Sequence, residues 1–430
     1  MSDGSGNYRR VSLDTLAAVD PETLPISTSQ KFAFKYIDIS AAADGKLTIP
    51  SSTVEYGDAP SRARRIIRSG DVIMSTVRPN LKAFAYCQLD SIPYVASTGF
   101  AVLRAKENVV PYFLLCSLLG DDVTGQINRL AVGSNYPAIN SSDVRRLQLP
   151  DLSERDQKRI AAILTSIDTA IEKTEALIAK YQQIKAGLMH DLFTRGVLPN
   201  GQLRPPREQA PELYGETELG WMPFGWTVTS IEKTLHRIID YRGKTPDKTV
   251  AGIPLITAKN VRMGFIDNEP REFIAERDYA GWMTRGIPSV GDILFTTEAP
   301  LGNVAQIESA SRVAFAQRVI ILQPREQIDS SFLSDRLMSE TTQTAVHRLA
   351  SGSTALGIKQ SEFRKVSICF PHAKQEQKEI AARLRSFDEY LDKELESREK
   401  LKTKKLGLMQ DLLTGKVAVK VDAQALETVL

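Results

Sequence analysis

The side chains best suited to chemistry in this 430-residue chain are basic, amide and aromatic groups on loops marked by glycine and proline. Arginine can donate two hydrogen bonds to guanine, asparagine and glutamine pair similarly with adenine, and basic side chains on phosphates add affinity without sequence information. Each residue alone could equally be a solvated surface group. As clusters they predict contacts with double-stranded DNA, at Tyr56, Arg62, Arg64, Arg65, Arg78, Asn80, Lys82, Asn135, Tyr136, Tyr241, Arg242, Lys244, Thr245, Lys259, Asn260, Arg262, Asn303, Gln317, Arg318, Ser353 and Thr354.

A catalytic centre is not indicated by the sequence. Gly243-Lys244-Thr245 has the form of the end of a P-loop, but Ile238 stands where the first glycine is required. Pro246-Asp247 followed by Thr257-Ala258-Lys259 resembles a nuclease pattern, but a threonine occupies the position of the metal-binding acid. The sequence also lacks GxGxxG, GxSxG, HExxH and an amino-methyltransferase signature. We therefore predict a binding protein that is not an enzyme, with no metal and no cofactor of its own.

Composition places the chain among ordinary globular proteins with two or three domains. It is 42% hydrophobic and 25% charged, with a formal net charge of +3. The three cysteines and four histidines are scattered, which excludes a disulfide framework and a cysteine-rich zinc site and fits a reducing cytosol. The polar N-terminus lacks a signal-peptide core, and the apolar run 112–119 is far shorter than the ~20 residues of a membrane helix. We expect a cytoplasmic protein.

Bulk charge does not indicate a strongly basic DNA-binding domain. Residues 1–150 contain 16 basic and 14 acidic residues, and residues 205–371 contain 19 and 20. A basic patch or stripe is the usual electrostatic signature of a nucleic-acid-binding surface. Support for DNA contact therefore comes from local clusters of side chains and not from net charge.

An internal repeat organises the chain. QKRIAAILTSID at 157–168 returns as QKEIAARLRSFD at 377–388, with eight of twelve residues identical at an offset of 220. KAGLMHDLFTRGV at 185–197 returns as KLGLMQDLLTGKV at 405–417, with eight of thirteen identical at the same offset. The constant offset is expected of a continuous helix, because one inserted residue would rotate a helix face by 100°. Each half thus consists of a variable globular region followed by a long helix.

The repeated blocks predict two helices of about 40 residues. Helix one is expected to run from Glu154 to Thr194, and apolar residues recur at 4-3 spacing in both helices, which is typical of a coiled coil. Mutual antiparallel pairing is the interpretation we favour, and the alternative is that each helix packs on its own domain. The seam positions are Ile160, Leu164, Ile167, Ile171, Ile178, Tyr181, Ile380, Leu384, Phe387, Leu391 and Leu401.

The segments around the helices define the predicted domain organisation. A proline-rich stretch without periodicity follows helix one and has the character of a linker. Both globular regions combine short β-rich runs, such as FAVLRA and RVIILQP, with short apolar helices, so each is expected to be α+β. The predicted segments are 1–150 (first globular domain), 151–196 (helix one), 197–213 (linker), 214–371 (second globular domain), 372–417 (helix two) and 418–430 (C-terminal tail).

Antiparallel pairing of the helices would give the chain a pseudo-two-fold axis. The second globular region lies between the two helices in the chain and the first precedes them, so the two regions would lie at opposite ends of a helical rod. Because the halves are homologous, one chain would then imitate a symmetric dimer. Such symmetry suits a DNA duplex, whose strands are themselves related by two-fold axes.

These features together resemble the DNA-specificity subunit of type I restriction-modification systems. The resemblance covers roughly Val11–Val417 and is carried by the two variable regions, the QKxIAAxLxSxD helix starts and ETELGWMPFGW at 216–226. IPLITAKNV and GDILFTTEAPLGNV are similar to segments of target recognition domains in that family. The usual Glu-Gln at the helix start is Asp156-Gln157 in the first copy and Glu376-Gln377 in the second.

The resemblance implies a non-catalytic subunit that reads a bipartite DNA site. Each globular region would be a target recognition domain, and the helices would set the length of a non-specific spacer. Adenine methylation would be carried out by two modification subunits that bind S-adenosylmethionine, and ATP-dependent cleavage by restriction subunits. The near-neutral charge then predicts that the isolated chain binds DNA weakly, with partner subunits supplying most phosphate contacts.

A different class of protein remains an alternative for the sequence. A coiled-coil adaptor holding two protein-binding modules, without DNA contact, would explain the neutral charge. It would not explain why the globular regions diverge while the helices match. For the glycine-serine pairs at 133–134 and 352–353, both a phosphate-binding loop and a plain structural turn remain open.

Overall fold

The computed structural model describes residues 8–133, 136–241, 243, 245–352 and 355–417, which divide into two compact units. Unit 1 takes the chain up to Ala176 and from Glu396 onward, and unit 2 takes Leu177–Leu395. Each unit therefore contains one globular region and a part of both long helices.

The first globular region is a series of short strands and helices. Its strands are β1 (Arg10–Ser12), β2 (Ala17–Val19), β3 (Ala33–Ile37), β4 (Ala42–Ala43), β5 (Lys46–Leu47), β6 (Val54–Glu55), β7 (Ala63–Ile67), β8 (Val72–Ser75), β9 (Phe84–Tyr86), β10 (Tyr94–Ser97), β11 (Phe100–Ala105) and β12 (Gln148–Pro150). Its helices are α1 (Leu13–Leu16), α2 (Pro111–Leu119), α3 (Asp121–Leu130) and α4 (Ser141–Arg146), with 3-10 turns at Ile39–Ala41 and Pro79–Leu81, and the long helix α5 (Glu154–Thr194) follows.

The second globular region repeats this organisation. Its strands are β13 (Tyr214–Thr217), β14 (Gly220–Pro223), β15 (Trp226–Ser230), β16 (Leu235–Asp240), β17 (Lys248–Thr249), β18 (Ile253–Ile256), β19 (Phe273–Ile274), β20 (Ile293–Thr297), β21 (Leu301–Gln306), β22 (Ala314–Phe315), β23 (Val319–Pro324) and β24 (Ser367–Pro371). Its helices are α6 (Ile231–Thr234), α7 (Tyr279–Trp282), α8 (Ser330–Met338), α9 (Glu340–Arg348) and α10 (Gln360–Phe363), with 3-10 turns at Pro211–Leu213, Glu276–Asp278 and Met283–Arg285, and the long helix α11 (Lys374–Thr414) follows.

Each region is built on a four-stranded antiparallel main sheet with the same strand order. The order is β2-β11-β8-β9 in unit 1 and β16-β23-β20-β21 in unit 2. Every residue of β8 and of β20 is buried, which explains why neither strand alternates between apolar and charged residues. The predicted α+β class, with two homologous globular domains and two long helices, is confirmed.

A buried glutamine at the start of each long helix ties that helix to its globular region. The side-chain carbonyl of Gln157 accepts from Val110 N at 2.9 Å, and its amide donates to Leu152 O at 2.9 Å. Gln377 accepts from Asp329 N at 2.7 Å and donates to the carbonyl that ends β24 at 2.8 Å. The repeated glutamine is therefore structural, because it satisfies backbone groups that would otherwise be buried without partners.

Within unit 1 the two long helices run antiparallel. Lys405 forms an ion pair with Asp168 at 2.6 Å, and Lys402 forms one with Glu175 at 3.7 Å. Residue numbers therefore increase along α5 in the direction in which they decrease along α11. Ile160 and Leu164 share one apolar cluster with Met409, Leu412 and Leu413 of α11 and with two residues of α2.

Unit 2 shows the same antiparallel arrangement. Lys185 forms an ion pair with Asp388, and the rings of Tyr181 and Tyr390 lie 6.3 Å apart. Most of the predicted seam is buried, and Tyr181, Phe387 and Leu401 are half-buried. The buried seam positions are Ile160, Leu164, Ile167, Ile171, Ile178, Ile380, Leu384 and Leu391.

The proline-rich segment after α5 has more structure than the sequence predicts of a linker. Val197 bridges to Leu203, and Arg204 makes an ion pair with Glu376 at the start of α11. The same carboxylate accepts from Val197 N at 3.0 Å and from Trp226 Nε1 at 3.1 Å. One half-buried acid, Glu376, therefore fixes this segment to unit 2, a long-range contact that periodicity cannot reveal. In the described part of the chain, no helix combines the length and hydropathy needed to cross a membrane.

Candidate nucleic-acid interface

Three loops meet at one end of the main sheet in unit 1. They are the β8–β9 connection, the β10–β11 turn and the loop between α3 and α4. Backbone hydrogen bonds join them, from Thr76 N to Gly99 O at 2.8 Å, from Ile139 N to Thr76 O at 3.0 Å and from Arg78 N to Pro137 O at 2.7 Å. We call this surface the loop end of unit 1.

Unit 2 has a loop end with the same backbone connections. Thr297 N donates to Arg318 O at 3.0 Å, and Ile358 N donates to Thr297 O at 2.9 Å. Glu298 forms a bridge with Gly357, as Val77 does with Ala138 in unit 1. The loop residues Ala138 and Gly357 therefore occupy equivalent places in the two units.

The loop end of unit 1 brings together four of the residues predicted to contact DNA. The guanidinium of exposed Arg78 lies 4.2 Å from the ring centre of Tyr136, which is 69% exposed. Asn80 is exposed on the following 3-10 turn, while Lys82 Nζ donates to Leu119 O at 2.9 Å. Arg78 adopts a left-handed backbone conformation with φ 47°, and this conformation turns the chain into the loop. Exposed cationic, amide and aromatic groups here could contact base edges and phosphates.

The loop end of unit 2 carries different side chains on the same backbone. Ala299, with φ 49°, replaces Arg78, and the neighbouring Glu298 pairs with Arg318 at 3.6 Å. Arg318 is exposed and Gln317 is half-buried on the β22–β23 turn. The exposed guanidinium of the loop end of unit 2 is that of Arg318. It therefore comes from the β22–β23 turn, whereas Arg78 of unit 1 lies on the β8–β9 connection.

A second group of predicted residues in unit 1 lies on and beside β7. Arg64 donates to the hydroxyl of Tyr56 and lies 5.0 Å from the centre of its ring. Arg65 pairs with Asp20 and is largely buried, whereas Arg62 is exposed. The Arg62 carbonyl accepts from the β10–β11 turn, which joins this group to the loop end.

In unit 2, a hairpin next to β21 carries another predicted group. Asn260 is 2% exposed, and its amide donates to the carbonyls of Asp267 and Pro270 at 3.0 Å each. Asn303 Nδ2 donates to the hairpin at Val261 O at 2.7 Å. Exposed Lys259 and Arg262 can reach a ligand, whereas the side chain of Asn260 is used to hold the loop.

Tyr241 is buried, and its hydroxyl donates to Gly286 O. Burial raises the pKa of Tyr241 to about 12, so the hydroxyl stays protonated and keeps this bond. Its ring stacks on Trp282 with centres 6.1 Å apart. We propose that Tyr241 and Asn260 shape the interface and do not touch DNA, since both side chains are occupied inside the domain.

Further predicted residues stand apart from these contacts. Thr245 is exposed on the β16–β17 connection. Asn135, Arg242, Lys244, Ser353 and Thr354 lie outside the described residues. The described residues contain no group of histidine, cysteine or acidic side chains that could hold a metal ion.

Sequence reasoning missed several exposed groups that flank the predicted ones. Met263 and Phe265 are 47% and 59% exposed at the tip of the hairpin that holds Arg262. Arg237 and Arg285 are exposed beside β16. The only signal in the sequence was a polar His236-Arg237 pair inside an otherwise apolar strand, which is too common to identify a site.

Comparison with known families identifies the repeated domains. The family model for the type I restriction modification DNA specificity domain matches residues 27–183 and again 245–403. The chain is 25% identical over 295 residues to the MjaVIII specificity subunit of Methanocaldococcus jannaschii, covering 67% of this chain and 66% of that protein. It is 24% identical over 413 residues to the putative MjaX specificity subunit of the same organism, covering 91% and 88%. The HindI specificity subunit of Haemophilus influenzae is 29% identical over 139 residues, or 32% of this chain and 30% of that protein.

Solved structures show the same fold. A chain from a structure concerned with complex assembly and conformational transition of the type I R-M system superposes with a TM-score of 0.59 at 23% identity, covering 97% of this chain and all of the other. The type I S subunit from M. genitalium gives 0.52 at 13% identity, covering 96% and 98%. Because the family model matches most of the chain in two copies, the chain belongs to the DNA-specificity subunits of type I restriction-modification systems, which are non-catalytic.

Proposed function

We propose that the chain recognises a bipartite DNA site, with the loop end of each unit reading one half. The observation that carries this proposal is the pair of equivalent loop ends, joined by the same backbone bonds but bearing different side chains. A shared frame with different exposed groups supports recognition of two different base sequences by one chain.

We further propose that the chain holds the other subunits of the system. In this proposal two modification subunits methylate adenine at the recognised site, and restriction subunits provide ATP-dependent cleavage. The long helices are the candidate scaffold, because they are the part of the chain that the repeat preserves. A cytoplasmic location belongs to the same proposal and is supported by three free, buried cysteines.

Methylome sequencing of a host that expresses the chain with its modification subunits tests half-site reading. Arg78→Ala should weaken methylation at one half-site by about 10- to 100-fold or relax its sequence, because a base contact contributes roughly 1–3 kcal/mol. Arg318→Ala should affect only the other half-site. Arg9→Ala is the matched control, since that side chain is 82% exposed outside both loop ends. Unchanged half-sites in both variants would reject the assignment of the loop ends.

A change in helix length tests whether the helices set the spacer. Inserting four residues in register into α5 and α11 should lengthen the paired helices by roughly 6 Å, or about two base pairs. The expected methylation motif keeps both half-sites and gains spacer length. An unchanged spacer length would reject this part of the proposal. If gel shifts show that the complex does not bind DNA, the alternative of a protein-binding adaptor is favoured.

A further inference from the structure

An open concavity on unit 2 is lined by three arginines beside the edge strand β16. Its lining includes Arg237, Asp240, Arg285, Gln360 and Arg364. Arg237 and Arg285 are exposed, and Arg364 is half-buried. Three guanidinium groups around one concavity create a local excess of positive charge in a region whose overall charge is balanced.

Two of these arginines are held by backbone carbonyls and not by acids. Arg237 Nη2 donates to Arg285 O at 2.6 Å, and Arg285 Nη1 donates to Asp240 O. Over the described ranges, neither forms an ion pair, whereas Arg364 pairs with Glu232 at 2.5 Å. A carbonyl fixes a guanidinium without neutralising it, and each fork keeps further N–H donors for an anion.

The concavity is continuous with the loop end of unit 2. Asp240 pairs with Ile320 at the start of β23, next to the turn that carries Arg318. Gln360 lies two residues after Ile358, whose N–H donates to the carbonyl of Thr297 at the end of β20. A DNA backbone that passes the loop end would therefore reach the arginines of the concavity.

Unit 1 lacks this feature at the equivalent position. There Asp20 pairs with Arg65 and accepts from Ser141 Oγ at 2.6 Å. Arg145, which corresponds to Arg364 at an offset of 219, donates only weakly to Val19 O at 3.4 Å. In unit 1, therefore, an acid neutralises Arg65.

We propose that Arg237 and Arg285 bind a phosphate of the DNA backbone that flanks the half-site read by unit 2. The inference rests on the proposed function and names the partner atoms of that site. Bidentate donation to phosphate is the geometry that guanidinium favours, and such contacts fix the register of a protein on DNA without reading bases.

Salt dependence of DNA binding distinguishes phosphate contacts from base contacts. The full chain, in complex with its modification subunits, is titrated onto cognate DNA between 50 and 200 mM salt, as wild type and as Arg237→Ala/Arg285→Ala. Each lost phosphate contact lowers the slope of log K against log salt by about 0.9, and because both arginines bind the same phosphate, the double variant should lose about 0.9. Affinity should fall for cognate DNA and for DNA altered in the second half-site by the same factor, and the methylated sequence should not change.

Control variants keep this test decisive. Arg277→Ala removes a positive charge from the same domain, where its side chain is 88% exposed, and should leave the slope unchanged. Arg237→Lys/Arg285→Lys retains the charges and should restore most of the slope, which separates charge loss from misfolding. A double alanine variant that keeps the wild-type slope, or one that changes only the recognised bases, overturns the inference.

Two further outcomes separate this inference from the proposed function. If wild type itself shows no sequence-specific binding, the proposed function fails, and the arginine assignment fails with it. If wild type binds specifically and the concavity binds inorganic phosphate in calorimetry while DNA affinity is unaffected by the substitutions, the site takes a free anion and the DNA contact is overturned.

Discussion

The main sheets of the two units have the same strand order, but the second sheet of each unit is extended at a different edge. Three strands correspond, β6-β3-β10 in unit 1 and β19-β18-β22 in unit 2, each with one parallel pair. In unit 1 the fourth strand, β7, pairs with β10, whereas in unit 2 the fourth strand, β17, pairs with β19. The segment before β20 is helical in unit 2, where unit 1 has β7. The duplicated core tolerates such replacement because edge strands depend on one neighbour only.

The loop ends show the same contrast at the level of side chains. Their backbone hydrogen bonds are equivalent, but their side chains differ. In unit 1 the guanidinium of Arg78 lies over the ring of Tyr136, whereas in unit 2 Glu298 forms an ion pair with Arg318. A frame held by main-chain hydrogen bonds does not constrain which side chains it exposes. Recognition residues can therefore change without loss of the fold, which is what a protein that reads varied sequences needs.

The acid before each central strand gives the largest expected difference between the units. Asp71, 1% exposed, is paired with Arg104 through two 2.8 Å bonds, whereas its counterpart Asp292 accepts from Gln323 at 2.8 Å. Arg104→Ala should cost about 3–5 kcal/mol because it leaves a buried charge without its partner. Gln323→Ala should cost about 1 kcal/mol. Urea unfolding measures both, and equal losses would show that the two acids have the same environment.

A buried acid at the interface of α8 with the long helices should make unit 2 sensitive to pH. Burial raises the pKa of Asp335 to about 7, above the value of 3.8 expected when unfolded. Ionisation of Asp335 lowers the free energy of unfolding. This loss of stability is absent below pH 4, grows as pH rises and is complete above pH 7. Asp335→Asn should therefore stabilise the protein at pH 8, on the order of 3 kcal/mol, and not at pH 4. The charged groups around it are Lys185, Arg385, Asp329 and Asp388.

The equivalent residue in unit 1 provides the reciprocal experiment. Cys116 occupies the position of Asp335 at an offset of 219 and is also buried. Cys116→Asp should transfer the pH dependence to unit 1, lowering the melting temperature at pH 8 more than at pH 4. Calorimetry at both pH values measures the shift. Melting temperatures of Asp335→Asn that stay parallel to wild type across this range would contradict the assignment.

The two repeated glutamines should behave alike. Gln157→Ala and Gln377→Ala each remove two buried hydrogen bonds of 2.7–2.9 Å, and each should cost about 2 kcal/mol. Replacement by glutamate is the matched variant, since it keeps the acceptor and loses the donor. Chemical unfolding of the four variants should give losses that agree between the units to within about 1 kcal/mol. A clear disagreement would mean that the repeat is equivalent in sequence only.

The smallest effect is expected from the paired ion bridges of the long helices. Lys405→Ala removes the ion pair with Asp168 in unit 1, and Lys185→Ala removes the ion pair with Asp388 in unit 2. Since the groups are partly exposed, each loss should stay below about 1 kcal/mol. Melting curves at low and high salt provide the measurement, and a difference between wild type and variant that persists at high salt would contradict a screened surface pair.

Long elements with a single dominant period could be predicted from the sequence. Helix α5 begins at Glu154 and ends at Thr194, the bounds predicted from the repeat and its apolar 4-3 spacing. The β-rich runs FAVLRA and RVIILQP form β11 and β23. Burial on one face of a helix or within a covered sheet leaves a pattern in neighbouring residues, which is why these elements were recognisable.

Residues whose position depends on distant partners could not be predicted. The Arg204–Glu376 pair spans 172 positions, and Asn260 was predicted to contact DNA although its amide is used inside its own loop. The phosphate-binding pair Arg237 and Arg285 is likewise assembled from β16 and a 3-10 turn. An arginine in a sequence carries no sign of whether an acid neutralises it.

Repeats and helical periods predict a duplicated α+β protein with two long helices, because these signals are local and accumulate over many residues. The folded protein was needed to reveal that three loops meet at one end of each main sheet and that Asp20 neutralises Arg65 in unit 1. It was also needed to reveal that backbone carbonyls hold Arg237 and Arg285 in unit 2. These features depend on backbone hydrogen bonds and ion pairs between segments far apart in the chain. The energy of such contacts is set by distance and burial, which a linear sequence does not contain.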